Sequence, residues 1–330
     1  MRMMHRLIFT GTLLILAGCS TMPQNGRPQE STAEAPSEVP VPVTLPEVEL
    51  TPQLIYKLLT AEFAGQRGAL RLSANIYLKT AEETRDPRLA QRATNIAIYA
   101  RDADTALRAA QLWVELSPAD PEAHQSAAAL LIRHDRSEEA IPSLKKLIEL
   151  NADNHGQVYL LIANLLSRDS NSPRALGIMD QLIGEQRNEP DALYAKASLA
   201  NQLNEFEVAE QILGELLAKH PEYAQARLLQ ATVLHSMGKG EAALESLRLA
   251  LKQDPDNDRL RLTYARMLID ARQLTEARKE FRIINRRLPD NSDVIYALGL
   301  LALEAGDTED AATHFGQLIN NREHEEEARF

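Results

Sequence analysis

Few residue groups in this sequence have the types and spacing that chemistry requires. His324-Glu325 opens the His-Glu-x-x-His pattern, in which two imidazoles on one helix face bind zinc and the glutamate acts as base. The residue four on from His324 is Ala328, so the second ligand is missing. Gly238-Lys239-Gly240 has the residue types of a phosphate loop but not the Walker spacing, and no strand pattern precedes it. Glycines there suit a turn between two helices. No Gly-x-Ser-x-Gly elbow occurs. His124, His134, His155, His220, His235, His314 and His324 are scattered, several at expected helix ends, where a solvated or capping role is ordinary. Trp113 and Tyr77 fall on helix faces that predict packing. These readings predict no catalytic residue, no metal site and no cofactor. The chain is read as not an enzyme, with no small-molecule substrate.

One residue does predict covalent chemistry. Cys19 is the sole cysteine, so no disulfide or cysteine metal site can form within one chain. It follows a short basic segment, Met1 to Arg6, and an apolar run from Leu7 to Leu16, too short for a resident membrane span. The run ends in Leu16-Ala17-Gly18-Cys19, which resembles the lipobox of bacterial lipoproteins. The resemblance implies that residues 1–18 are a signal peptide cleaved before Cys19, and that Cys19 is lipidated. Several acyl chains anchor a protein stably where one does not. Ser20, where Asp would favour inner-membrane retention in such lipoproteins, implies the periplasmic face of the outer membrane.

Residues 19–50 read as a tether. Pro23, Pro28, Pro36, Pro40, Pro42 and Pro46 punctuate a polar stretch without helical or strand period. Proline removes donors and favours polyproline II. At ~3.1 Å per residue such a tether would reach on the order of 90 Å.

The charge balance excludes some partners. Lys and Arg number 36 against 47 Asp and Glu, a net charge of -11. Nucleic acid needs a basic face, so it is not an expected partner. Spreading on an anionic lipid surface is disfavoured for the same reason.

The elements that must present any binding residues follow from a period. Ala106, Ala140, Ala175, Ala209, Ala243, Ala277 and Ala311 recur at 34 residues, with one extra between Ala140 and Ala175. Ala128, Ala163, Ala197, Ala231, Ala265 and Gly299 run twelve residues ahead of them. Leu144, Met179, Leu213, Leu247, Phe281 and Phe315 follow four behind. Pro118, Pro221, Pro255 and Pro289 form a fourth series, the last three again 34 apart. Four registered series at this period resemble the tetratricopeptide repeat. The predicted fold is all-α: a right-handed superhelical solenoid of helix-turn-helix units, about eight in all. Residues 51–86 form a divergent first repeat, with helices from Pro52 to Gln66 and Leu70 to Glu83. Residues 87–325 form seven repeats. Residues 326–330 read as the opening of a further helix, leaving the C-terminus uncapped, as in a piece of a longer repeat protein.

In a solenoid of this kind, the resemblance implies that the first helix of each unit lines a concave groove. The corresponding positions are Asn95, Tyr99, Gln125, Arg133, Asn164, Arg168, Tyr194, Asn201, Gln202, Gln225, His235, Arg259, Arg266 and Tyr296. Amides, arginines and tyrosines can pair with peptide backbone, carboxylates and apolar side chains.

Leu58-Leu59-Thr60-Ala61-Glu62-Phe63-Ala64-Gly65-Gln66-Arg67-Gly68 is followed by Ala74, Tyr77, Thr84-Arg85-Asp86-Pro87, Gln91-Arg92-Ala93-Thr94 and Trp113-x-x-Leu116-x-Pro118. This series is similar to the outer-membrane tetratricopeptide lipoproteins of pseudomonads that partner a periplasmic carboxyl-terminal processing protease. The resemblance implies an adaptor that binds and activates that protease and presents its protein substrates, cell-wall hydrolases. Two alternatives stay open: a pilotin-like or envelope-assembly lipoprotein, and an activator of a peptidoglycan synthase.

Overall fold

The computed structural model describes residues 46–184 and 189–327, with side chains through Asn320. The expected signal peptide, Cys19 and most of the tether lie outside the described residues. Sixteen α-helices and no strand occur among those described. In chain order they are α1 (Pro52–Gln66), α2 (Leu70–Thr84), α3 (Pro87–Tyr99), α4 (Ala103–Leu116), α5 (Pro121–Arg133) and α6 (Ile141–Leu150). Then follow α7 (His155–Leu166), α8 (Ser172–Ile183), α9 (Pro190–Gln202), α10 (Phe206–Lys219) and α11 (Ala224–Ser236). The last are α12 (Gly240–Gln253), α13 (Asp258–Asp270), α14 (Leu274–Arg287), α15 (Ser292–Glu304) and α16 (Thr308–Glu327). They make eight helix-turn-helix units, a tetratricopeptide-type solenoid in which each helix packs mainly on its chain neighbours.

Local chemistry sets the helix ends. Thr51, Asp86 and Asp120 each cap a helix whose first residue is proline, at Pro52, Pro87 and Pro121. Their side chains accept from the backbone N–H groups of Leu54, Arg88 and Glu122. Helices α4, α10, α12 and α14 stop two residues before Pro118, Pro221, Pro255 and Pro289. A proline there cannot donate to a continuing helix.

The small-residue series are the packing seams. Ala128, Ala163, Ala197, Ala231 and Ala265 are wholly shut from solvent, as are their partners from Ala140 to Ala277. A methyl group at both positions lets the two helices of a unit approach closely. Leu144, Met179, Leu213 and Leu247 are equally buried and fill the space behind. Trp113 and Tyr77 are core residues, each 3% exposed.

A fifth periodic feature lies in the turns. Arg101, Asp135, Asn204, Gly238, Arg272 and Gly306 all have positive φ. They close the turn between the first and second helices of their units. Gly238 therefore supplies turn geometry. The fourth unit departs from this: its turn has no such residue among those described, and the Asp169 carboxylate accepts from the Asn171 N–H at 2.8 Å instead. Around this unit the packing also shifts, with α7 resting more on α9 than on α8.

The C-terminal end differs from the sequence expectation. No break follows Asn320-Asn321, and α16 runs on to Glu327. The position where proline stops other second helices is Glu323 here, so nothing ends the hydrogen-bond ladder. Glu326 and Glu327 thus extend α16 and do not begin a new helix. Among the described residues, no helix is long and apolar enough to cross a membrane.

Candidate partner-binding face

The fourteen sequence-selected residues lie on the first helices of their units, with one exception. Asn95 and Tyr99 are on α3, Gln125 and Arg133 on α5, and Asn164 on α7. Tyr194, Asn201 and Gln202 are on α9, Gln225 and His235 on α11, Arg259 and Arg266 on α13, and Tyr296 on α15. Arg168 is the exception: α7 ends at Leu166, so Arg168 sits in the turn beyond it. Tyr194 and Asn201 are half-buried, and the other twelve are exposed. Tyr99 is 79% exposed, too large an aromatic surface to be a core residue that merely reaches the rim.

Neighbours decide which of these side chains are available. Arg266 stands 3.9 Å from Asp293, and His235 stands 3.9 Å from Asp270. Both contacts are long and exposed, so they restrain the two side chains weakly. Arg133, Arg168 and Arg259 enter no ion pair among the described residues. Most arginines among the described residues do find a carboxylate. Tyr296 meets Phe315 edge-on, ring centroids 6.0 Å apart.

The densest grouping is around Tyr194. Its ring lies 5.6 Å from that of Tyr223, tilted by 42°. The Tyr223 hydroxyl donates to the Asp191 carboxylate at 2.6 Å, which fixes the second ring. Burial pushes the Tyr223 hydroxyl pKa well up, and the Asp191 contact adds to this, so it stays a donor. Burial raises Tyr194 as well, against an opposing pull from the positive charge of Arg259. An aromatic shelf and a fixed carboxylate thus stand together, and the unpaired guanidinium of Arg259 lies on another first helix of the same row. Arginine and tyrosine are the residue types that dominate protein interfaces.

Tyr223 and Asp191 were not among the sequence-selected residues. Asp191 occupies the same place in its unit as Gln225 and Arg259, and that spacing could have found it. Tyr223 precedes α11 and carries no periodic signal. Other parts of the face were also missed: Ile98, Leu300 and Leu303 are large, apolar and exposed on α3 and α15.

No chemistry gathers elsewhere. Among the described residues, no three His, Cys, Asp or Glu side chains converge as a metal ion requires. His124 is buried, with Nε2 3.0 Å from the Pro118 carbonyl. His134 and His220 are helix C-caps.

Tetratricopeptide-repeat models match residues 194–258, 234–301 and 293–322. Residues 194–322 thus match the tetratricopeptide repeat. The chain is 30% identical over 215 residues to the TPR repeat-containing protein PA4667 of Pseudomonas aeruginosa, a stretch covering 64% of this chain and 36% of that protein. The chain thus matches little more than a third of its relative's length. Among solved structures, the tetratricopeptide protein YrrB, described as having an unusual peptide-binding site, aligns at 22% identity over 54% of this chain and 91% of its own, with a TM-score of 0.41. MamA of Desulfovibrio magneticus RS-1 aligns at 18% identity over 51% and 95%, with a TM-score of 0.43. Tetratricopeptide repeats are protein–protein interaction scaffolds, and the fold is typically non-catalytic.

Proposed function

We infer that this chain is a lipid-anchored adaptor of the outer membrane, on its periplasmic face. It binds a carboxyl-terminal processing protease and presents that protease with cell-wall hydrolases as substrates. The observation that carries the binding role is the Tyr194–Tyr223 shelf fixed by Asp191, on a row of first helices that also carries the unpaired Arg259. The Leu16-Ala17-Gly18-Cys19 segment and the Pro-rich stretch after it support the anchor and its reach. The stretch from Leu58 to Pro118 supports the choice of partner, and so does a similar repeat protein from a pseudomonad.

The mechanism is proximity. A scaffold that holds protease and substrate together turns their encounter into a near-intramolecular event. The chain contributes no reacting group. Its acidic surface favours basic hydrolases through complementary fields. That attraction weakens with added salt, and binding indifferent to salt would remove the electrostatic element.

The test is a pull-down from a bacterial envelope extract with the lipid-free chain, read by mass spectrometry. The expected result is recovery of a carboxyl-terminal processing protease together with a peptidoglycan hydrolase. Recovery of a secretin or of barrel-assembly subunits, with no protease, would overturn the adaptor reading in favour of envelope assembly.

A further inference from the structure

The first helix of the solenoid is apolar on two faces, and only one is covered. Ala61 and Ala64 are buried against α2, where the Ser73 hydroxyl donates to the Ala61 carbonyl at 2.8 Å. Ala61 and Ser73 stand twelve residues apart, as Ala128 and Ala140 do, which registers α1 with the later units. In that register Tyr56 corresponds to Val158, Leu260 and Val294, and Phe63 to Leu165, Leu199 and Leu301. Each of those six residues is buried. Tyr56 is 71% exposed and Phe63 56% exposed, with Leu59 between them at 52%. The bare surface of α1 is therefore the same surface that later units bury in packing against their neighbours.

At 3.6 residues per turn, Pro52, Ile55, Tyr56, Leu59, Phe63 and Gln66 fall within an arc of about 100°. A stripe of that width is a full helix-packing face. Solvated aromatic residues along it call for a partner.

We propose that this face pairs with the same face of a second copy of the chain, α1 against α1 in antiparallel orientation about a two-fold axis near Leu59. The sequence is self-complementary about that point. Ile55 lies as far before Leu59 as Phe63 lies after it, with Tyr56 beside Ile55 on the same stripe, so each end of the stripe meets the partner's opposite end. The charges obey the same symmetry. In that pairing the N-terminal end of each α1, with Glu47 and Glu49 exposed ahead of it, meets the partner's C-terminal end, where Arg67 caps α1 and Arg71 lies in the first turn of α2, both exposed. None of the four enters an ion pair within the described residues of its own chain. Parallel pairing would set like charges together and is disfavoured. A helix pair of this length sits at the low end of specific interfaces, near 1,000 Å² in total, so dissociation falls in the micromolar range.

The test uses the full chain with Cys19→Ser, which removes the expected lipid acceptor, in light scattering from 1 to roughly 200 µM. A concentration-dependent dimer is expected. Phe63→Glu should abolish it without shifting the thermal midpoint, because the side chain is exposed. Arg67→Glu/Arg71→Glu should weaken self-association about tenfold, the worth of ~1.4 kcal/mol. Mixing that variant with Glu47→Arg/Glu49→Arg should restore a mixed dimer. A second readout is Leu59→Cys in the same background, which should form an oxidised dimer where an Ile319→Cys control does not. A monomer across the whole range, or a dimer untouched by Phe63→Glu, overturns the proposal.

Discussion

A methyl group added at Gly299 would lie 2.7 Å from the ring of Phe315, closer than real contacts allow. Six earlier units carry alanine at this place in the first helix. In the last unit the Phe315 ring lies over the position, edge-on to Tyr296. Gly299→Ala gains about 1 kcal/mol of helix propensity. It loses about 1–3 kcal/mol through overpacking. The expected result is a net loss of about 1 kcal/mol, confined to α15 and α16 and read by hydrogen exchange in those helices. Phe315→Leu should rescue it in a double-mutant cycle. Unchanged protection in Gly299→Ala would mean that the ring moves aside freely.

Arg101 occupies a left-handed conformation that glycine takes in the equivalent turns at Gly238 and Gly306. For a residue with a Cβ this costs about 1–2 kcal/mol, and glycine's greater unfolded-state entropy offsets about half of it. Arg101→Gly should therefore stabilise the second unit by about 0.5 kcal/mol. Arg101→Ala, with its Cβ retained, should leave the midpoint near wild type. Urea unfolding of both variants checks this, and equal midpoints would contradict it.

The periodic part of this molecule could be read from the sequence because burial and period coincide. Ala128, Ala163 and Ala197 must be small wherever two helices touch, so the residue type records the contact. The turn series was not legible in the same way. Arg101, Asp135, Asn204 and Gly238 share a backbone conformation but no side-chain chemistry, so of the four only the glycine could be read as a turn. Arg168 was placed on a helix because spacing locates a position without fixing where α7 stops. On the binding face, Tyr194 and Arg259 were found by counting. Where they stand relative to each other depends on the stacking of units, which no local pattern encodes. Tyr223 was missed because its role comes from the Asp191 contact, a pairing between residues 32 apart.

The Tyr194 region should bind protein partners through two separable contributions. Arg259→Glu replaces an unpaired cation with an anion and should weaken binding about tenfold, with a reduced dependence on salt. Tyr194→Ala removes the apolar shelf and should cost about 1–2 kcal/mol of affinity with the salt dependence intact. Circular dichroism should show both variants folded. Calorimetric titration of the recovered partner at two salt concentrations separates the two effects. If both variants bind like wild type, the partner uses another part of the face.

Asp169 links stability to pH. Its side chain is wholly shut from solvent, and Arg174 donates to both carboxylate oxygens, at 2.9 and 2.6 Å. Arg174 also pairs with Asp135 in the preceding unit, so the carboxylate anchors a joint between units. Burial alone would raise the Asp169 pKa; the Arg174 hydrogen bonds and the Asn171 N–H outweigh it and hold the carboxyl below its ordinary range. A group with a depressed folded pKa contributes stability that is fully present above its unfolded value, about 3.9, and is lost as pH falls through the folded value. Asp169→Asn keeps the shape but removes the charge, leaving Arg174 without its buried partner. Breaking such a pair costs about 3–5 kcal/mol when both members are buried, and about 2 kcal/mol is expected here because Arg174 is partly solvated. The cost should appear at pH 7 and shrink below about pH 4, where the unfolded carboxyl takes up its proton while the folded one keeps its charge to lower pH. Hydrogen exchange or limited proteolysis across α5 to α8 at both pH values reads it. A cost that stays constant down to pH 3 would show that Asp169 acts through shape and hydrogen bonding alone.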